Sequence, residues 1–140
     1  MTEPLQKDVF ISYRQKEPVK TWVRKQLVTA LEREGLRLCI DYRDFRLGEP
    51  LIKEIARAVE TCRYTLAILT PEYLESNFCD IEPIMAEHLG LESSRRRLLL
   101  IMREPCQPRV DLRSRLWLDM TRDDEFDDNI VRLAAELKQL

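Results

Sequence analysis

Five short apolar runs punctuate the chain: Val9-Phe10-Ile11, Leu38-Cys39-Ile40, the stretch Tyr64 to Leu69, the run within Arg97 to Met102, and Leu116-Trp117-Leu118. The first is continuous rather than alternating, which marks a strand covered on both faces. Between the runs the apolar spacing changes to a helical period. Val19, Trp22, Val23, Leu27, Ala30 and Leu31 trace one stripe, closed by Gly35 in the left-handed cap position. Leu51, Ile52, Ile55, Ala58, Val59 and Cys62 trace a second. Ile81, Ile84, Met85, His88 and Leu89 trace a third, ended by Gly90. Phe126, Ile130, Leu133, Ala134, Leu137 and Leu140 trace a fourth. The pattern predicts strands near residues 8–13, 37–40, 64–69, 97–102 and 116–118, the last at an edge. Strands that alternate with helices make an α/β fold with a parallel sheet. The flavodoxin-like order 2-1-3-4-5, with helices on both faces, is the expected architecture.

Breakers set the loops. Asp41 to Pro50 has neither period and ends in Gly and Pro, so it reads as an exposed functional loop. Thr70-Pro71 stops the third strand, because proline cannot donate to a ladder. Tyr73 to Asn77 then leads into the third helix, with Ser76 or Asn77 as its expected cap and Asp80 at its positive end. Pro83 would remove a hydrogen bond and press on the carbonyl of Cys79, so the helix starts late or bends there. The segment Arg103 to Ser114, with Pro105 and Pro108, reads as a loop. In such sheets ligands bind outside the carboxyl ends of the strands. Asp41 to Pro50 and Thr70 to Glu82 occupy those ends.

Length and charge narrow the class. A chain of 140 residues is one domain, 1–140, able to bury a core without staples. A net charge of -2 with both signs dispersed argues against a dedicated nucleic-acid binder. Arg95-Arg96-Arg97 is the exception, read as a solvated turn or as a phosphate or partner contact. No apolar segment reaches membrane-spanning length and no secretory signal is legible, so a cytoplasmic location is expected.

The four cysteines form no CxxC pair and His88 is the one histidine, so no metal site is expected. Cys39 and Cys62 fall on apolar faces. A Cys79–His88 nucleophilic pair is set against their separation of more than two helical turns. The acids Asp123, Asp124 and Glu125 read as partners of a helix dipole rather than as a metal site.

Three segments carry a resemblance. Asp8-Val9-Phe10-Ile11-Ser12-Tyr13 resembles the opening motif of the Toll/interleukin-1 receptor (TIR) domain. Arg43-Asp44-Phe45-Arg46-Leu47-Gly48-Glu49 resembles its second motif, the BB loop, usually RDxxPG. Ser76-Asn77-Phe78-Cys79-Asp80-Ile81-Glu82 resembles the SxWCxxE segment that opens its third helix. The three occur in register, and the pattern covers about residues 8–137. Leu47 stands where the loop proline is common, Phe78 where tryptophan is common, and Pro83 where leucine follows the glutamate. The resemblance points to a bacterial-type member, although the second motif is worded like a receptor's.

The resemblance implies one of two functions. Many bacterial and plant TIR domains, and one animal group, cleave NAD+ at the nicotinamide–ribose bond, with hydrolysis, cyclisation or ADP-ribosyl transfer to follow. Receptor and adaptor TIR domains are assembly modules. On the first reading NAD+ is the substrate, no cofactor is needed and Glu82 matches the catalytic glutamate. Phe78 would stack on a ring, Tyr13 and Arg14 would meet the substrate with Arg14 at the pyrophosphate, and Asp41, Leu47 and Gly48 would close the site. On the second, Arg43, Asp44, Phe45 and Gly48 of the BB loop mediate contact with further copies or other TIR domains. A first-turn helix glutamate is also ordinary dipole chemistry, so Glu82 alone does not choose. A phosphoacceptor receiver domain shares the expected fold. It needs acids at the end of the first strand and an aspartate at the end of the third. Ser12-Tyr13 and Leu69-Thr70 stand there instead.

Overall fold

The computed structural model describes residues 7–77, 98–108 and 117–138. Its centre is β1 (Lys7–Ser12), a strand whose residues Val9, Phe10 and Ile11 are all buried. It lies between β2 (Leu38–Cys39) and β3 (Cys62–Leu69), and pairs parallel with both. Val9 opposes Leu38 on one side and Tyr64 on the other. β4 (Leu98–Met102) and β5 (Trp117–Asp119) complete a five-stranded parallel sheet of order 2-1-3-4-5. This is the architecture that the apolar runs predict. β5 is one of the two edges, with β2 at the other, and its Trp117 and Leu118 are only half-buried.

The continuous runs are buried on two faces because two layers cover them. Helix α1 (19–33) and helix α3 (Phe126–Leu137) pack Val23, Leu27, Leu31, Leu133 and Leu137 against Val9, Ile11, Leu66 and Ile68. On the opposite face helix α2 (Leu51–Thr61) sets Ala58 and Val59 against Phe10, Ala67 and Leu69. Helix α1 is α-helical over Val19–Thr21 and Val28–Arg33, with a π-helical stretch Trp22–Leu27 between. Gly35 closes it at φ +86°, a left-handed conformation that favours glycine.

Three local expectations change. The loop after β2 is not wholly irregular, because Asp41–Asp44 forms one helical turn. The Asp44 carboxylate reaches back to accept the Ile40 N–H at 2.8 Å, in the manner of a capping box. The cap after β3 is Thr70 rather than Ser76 or Asn77. Its Oγ1 accepts the Tyr73 N–H at 3.1 Å, and its carbonyl takes the Leu74 N–H. Pro71 therefore both ends the strand and opens the helical turn, where a missing N–H costs nothing. The chain is helical from residue 71, and Tyr73–Asn77 is π-helical.

The third change is in α2. Leu51 and Ile52, placed on its apolar stripe by their spacing, are exposed, while Glu54 is 3% exposed. In the first turn of α2 the buried position is taken by a carboxylate. Phe78, Cys79, Glu82, Pro83, His88, Gly90, the Arg95–Arg97 run and Leu140 lie outside the described residues.

Candidate functional site

A cleft of about 380 Å³ opens at the carboxyl ends of β1 and β2. That size lies within the usual range for small-molecule sites, roughly 300–1,000 Å³. Its wall is apolar, from Phe10, Phe45, Leu51 and Ile55, and its rim is polar, from Ser12, Tyr13, Arg14, Gln15 and Asp41. The parallel sheet explains the position. Strands leaving the core side by side deliver their following loops to one end, so residues 12–15 and 41–45 meet there.

The rim is a bonded network. Tyr13 is 5% exposed, and its hydroxyl donates to Asp41 Oδ1 at 2.8 Å. The same hydroxyl accepts from Arg24 Nε at 2.7 Å. Asp41 Oδ1 also takes the Tyr42 N–H at 2.8 Å, and its Oδ2 accepts from the Gln15 amide. Burial, with Asp41 beside it, pushes the Tyr13 phenol well above its ordinary range against the opposing pull of Arg24. Tyr13 therefore stays protonated and remains a donor at neutral pH. Below the rim, Ser12 Oγ and the Tyr73 hydroxyl lie 2.8 Å apart, and Tyr73 is fully buried. This pair ties the end of β1 to the turn after β3.

The loop 41–50 is held at its base and free at its tip. Asp44 is bound by Lys7 Nζ at 2.8 Å as well as by Ile40 N. Burial raises its carboxyl, but Lys7 and the Ile40 N–H outweigh that and hold it below the usual carboxylate range. Phe45 packs on Phe10 with ring centroids 5.9 Å apart. Glu54 accepts the Arg46 N–H at 2.6 Å and Arg57 Nη2 at 2.8 Å, and Arg57 reaches the Asp44 carbonyl at 3.1 Å. The Arg46 N–H, only partly opposed by burial, holds the Glu54 carboxyl below its ordinary range, and Arg57 adds to this. Beyond these anchors Leu47 is fully exposed and Gly48 adopts φ +87°. A Cβ on Gly48 would meet nothing within 4 Å, so the backbone conformation is what favours glycine there.

The structure thus gathers Tyr13, Arg14, Asp41 and Phe45 around one cleft, whereas Leu47 and Gly48 stand apart from its lining. Arg43 turns away to pair with Glu32 at 3.2 Å. Asp44 faces inward. Arg24, Glu54, Arg57, Gln15 and Tyr73 emerge only from the structure. Glu54 had a signal in the sequence, a carboxylate one turn before Ala58 on an apolar stripe. Arg24 had none beyond its place beside Val23. Cys39 and Cys62 are buried thiols, as their apolar setting implies, and Cys106 is half-buried. Among the described residues no group of three or more His, Cys, Asp and Glu is arranged to hold a metal ion. No described helix is long and apolar enough to cross a membrane.

A parallel 2-1-3-4-5 sheet with a cleft at its carboxyl ends is a flavodoxin-like frame, and the comparisons narrow it to one family. The TIR domain family profile matches residues 9–134, and the chain belongs to this family. Human Toll-like receptor 6 is 31% identical over 101 residues, which is 72% of this chain and 12% of the receptor. Toll-like receptor 6 of Bos taurus is 30% identical over the same shares. The chain therefore spans about an eighth of the length of these curated relatives. The TIR domain of the Toll-related receptor TRR-2 from Hydra magnipapillata superposes with a TM-score of 0.78 at 24% identity, covering 96% of this chain and all of that one. A metazoan TIR-STING receptor from C. gigas superposes with a TM-score of 0.73 at 19% identity, over 99% of this chain and 42% of that one.

Proposed function

We propose that this TIR domain signals by chemistry, cleaving NAD+ at the nicotinamide–ribose bond. The observation that carries the reading is the cleft, a concave site with an apolar wall and a hydrogen-bonding rim, at the sheet end where ligands of this fold bind. Phe10 and Phe45 offer an aromatic wall to a nicotinamide ring. Arg14 is the rim residue suited to a pyrophosphate.

The reaction asks little of the protein. Nicotinamide leaves a pyridinium cation as a neutral ring, so no general acid is needed. Positive charge builds on the ribose as the glycosidic bond breaks. A carboxylate facing that sugar lowers the barrier, and Glu82, which matches the family's catalytic glutamate, takes this role. Water then adds to the sugar carbon and loses a proton, giving ADP-ribose. Attack by a group of the substrate or of another molecule would instead give cyclisation or transfer. Asp41 accepts from Tyr13, Tyr42 and Gln15, so its role is to position the rim.

A second reading is assembly through the BB loop with further copies or other TIR domains. It is favoured by the apolar side chains left in solvent at the loop tip and the start of α2, Leu47, Leu51 and Ile52, and by the Toll-like receptor relatives. The two readings separate on one experiment. Purified domain is incubated with NAD+ at increasing protein concentration, and nicotinamide is quantified. Turnover supports the enzyme. Concentration-dependent self-association with NAD+ intact supports the module.

A further inference from the structure

We propose that Arg24, on α1, is the positioning residue of the cleft, holding its rim and the first turn of the loop 41–50 in one arrangement. The proposal rests on the reading that this cleft is the site, and adds to it a residue on another element. Arg24 makes four contacts with the rim and that first turn. Its Nε donates to the Tyr13 hydroxyl at 2.7 Å. Its Nη2 lies 4.0 Å from Asp41 Oδ1. Its guanidinium carbon stands 4.4 Å from the centre of the Tyr42 ring and 5.9 Å from that of Tyr13. A planar cation with directed donors suits such a place, where a point charge on a flexible stem would not.

The consequences propagate through one carboxylate. The Tyr13 hydroxyl has one proton to donate, and Arg24 occupies its acceptor side, so the proton is directed to Asp41. Asp41, held in turn, accepts the Tyr42 N–H, and its carbonyl accepts the Phe45 N–H at 3.0 Å. Phe45 is the ring that forms the cleft wall against Phe10. A side chain on α1 is thereby linked to the placement of an aromatic wall on the far side of β1. The Glu54–Arg57 clamp on Arg46 and Asp44 is a separate anchor that does not pass through Arg24.

The test compares Arg24→Met and Arg24→Lys with the wild type in amide hydrogen exchange and in NAD+ turnover. Arg24→Met should speed exchange at the Tyr42 and Phe45 amides on the order of tenfold, the loss of one charge-assisted hydrogen bond. The Leu66 amide in β3 and the Arg46 amide held by Glu54 should not change. Arg24→Lys should fall between, since it restores the charge but not the stacked plane. In turnover, Arg24→Met should raise KM severalfold and leave kcat within about twofold, because it displaces the rim and not the reacting group. Unchanged exchange at Tyr42 and Phe45, a rise shared equally by Leu66 and Arg46, or an unchanged KM would overturn the proposal. If the wild type leaves NAD+ intact while the local exchange pattern holds, the reaction assignment fails and the positioning role of Arg24 stands.

Discussion

Replacement of Asp44 by asparagine should loosen the base of the BB loop by an amount the contacts specify. Its carboxylate takes the Ile40 N–H at 2.8 Å and Lys7 Nζ at 2.8 Å. A hydrogen bond to a charged partner contributes about 1.5–3 kcal/mol. The ion pair adds less, because Lys7 is 38% exposed and solvent screens it to about 1 kcal/mol or below. Asparagine keeps one acceptor and turns a donor toward the other partner, so the expected loss is about 2 kcal/mol. With a urea slope of about 2 kcal/mol per molar, the unfolding midpoint falls by roughly 1 M.

The sign with pH is fixed as well. Asp44 titrates lower in the folded chain than in the unfolded one, where its value is about 3.9. Its contribution is therefore complete above that value and is lost as pH falls through the folded value. The gap between wild type and Asp44→Asn in urea titrations should be constant from about pH 5 to pH 8 and narrow below about pH 4. A gap under about 0.5 kcal/mol at pH 7, or one that widens on acidification, would refute the reasoning.

Two further outcomes follow from the same contacts. Tyr73→Phe removes only the hydroxyl facing Ser12 and should cost about 0.5–1.5 kcal/mol, whereas Tyr73→Ala, which empties a fully buried site, should cost about 3–5 kcal/mol; thermal or urea unfolding reads both. Leu47→Glu should leave stability within about 0.5 kcal/mol, since the side chain is fully exposed, yet weaken self-association measured by sedimentation if the loop tip is an interface.

The sheet was legible because its signal is a period. Continuous apolar runs such as Val9-Phe10-Ile11, too short for a helix and bounded by polar residues, fit a strand with layers on both sides, and the parallel order follows from the helices between them. Single polar residues in apolar company were harder to place. Glu54 reads as one charge on a helix, and only the geometry shows it buried and bonded to the Arg46 N–H eight residues back. Arg24 carries no signal in the sequence, because its partners Tyr13 and Asp41 come from two other segments. Leu51 and Ile52 fit the stripe by spacing, but spacing does not reveal that both are exposed, with Leu51 at the wall of the cleft. Thr70-Pro71 reads as a strand stop, although a hydroxyl followed by proline is equally the start of a helix. Around the cleft, Tyr13, Arg14 and Asp41, which the resemblance assigns to substrate, stand beside Phe45, which it assigns to assembly.

The reaction itself is the most exposed part of the account. The decisive measurement is nicotinamide release from NAD+ by concentrated wild-type domain, with Glu82→Ala, Glu82→Gln and Cys79→Ala beside it. Removal of one positioned catalytic group should cut turnover by roughly 10²–10⁴-fold in Glu82→Ala. Glu82→Gln should fail as well, because it keeps the shape and loses the negative charge, while Cys79→Ala should retain activity. Wild-type protein that leaves NAD+ intact across the full concentration range, or a Glu82→Ala variant that turns it over at the wild-type rate, would contradict the account.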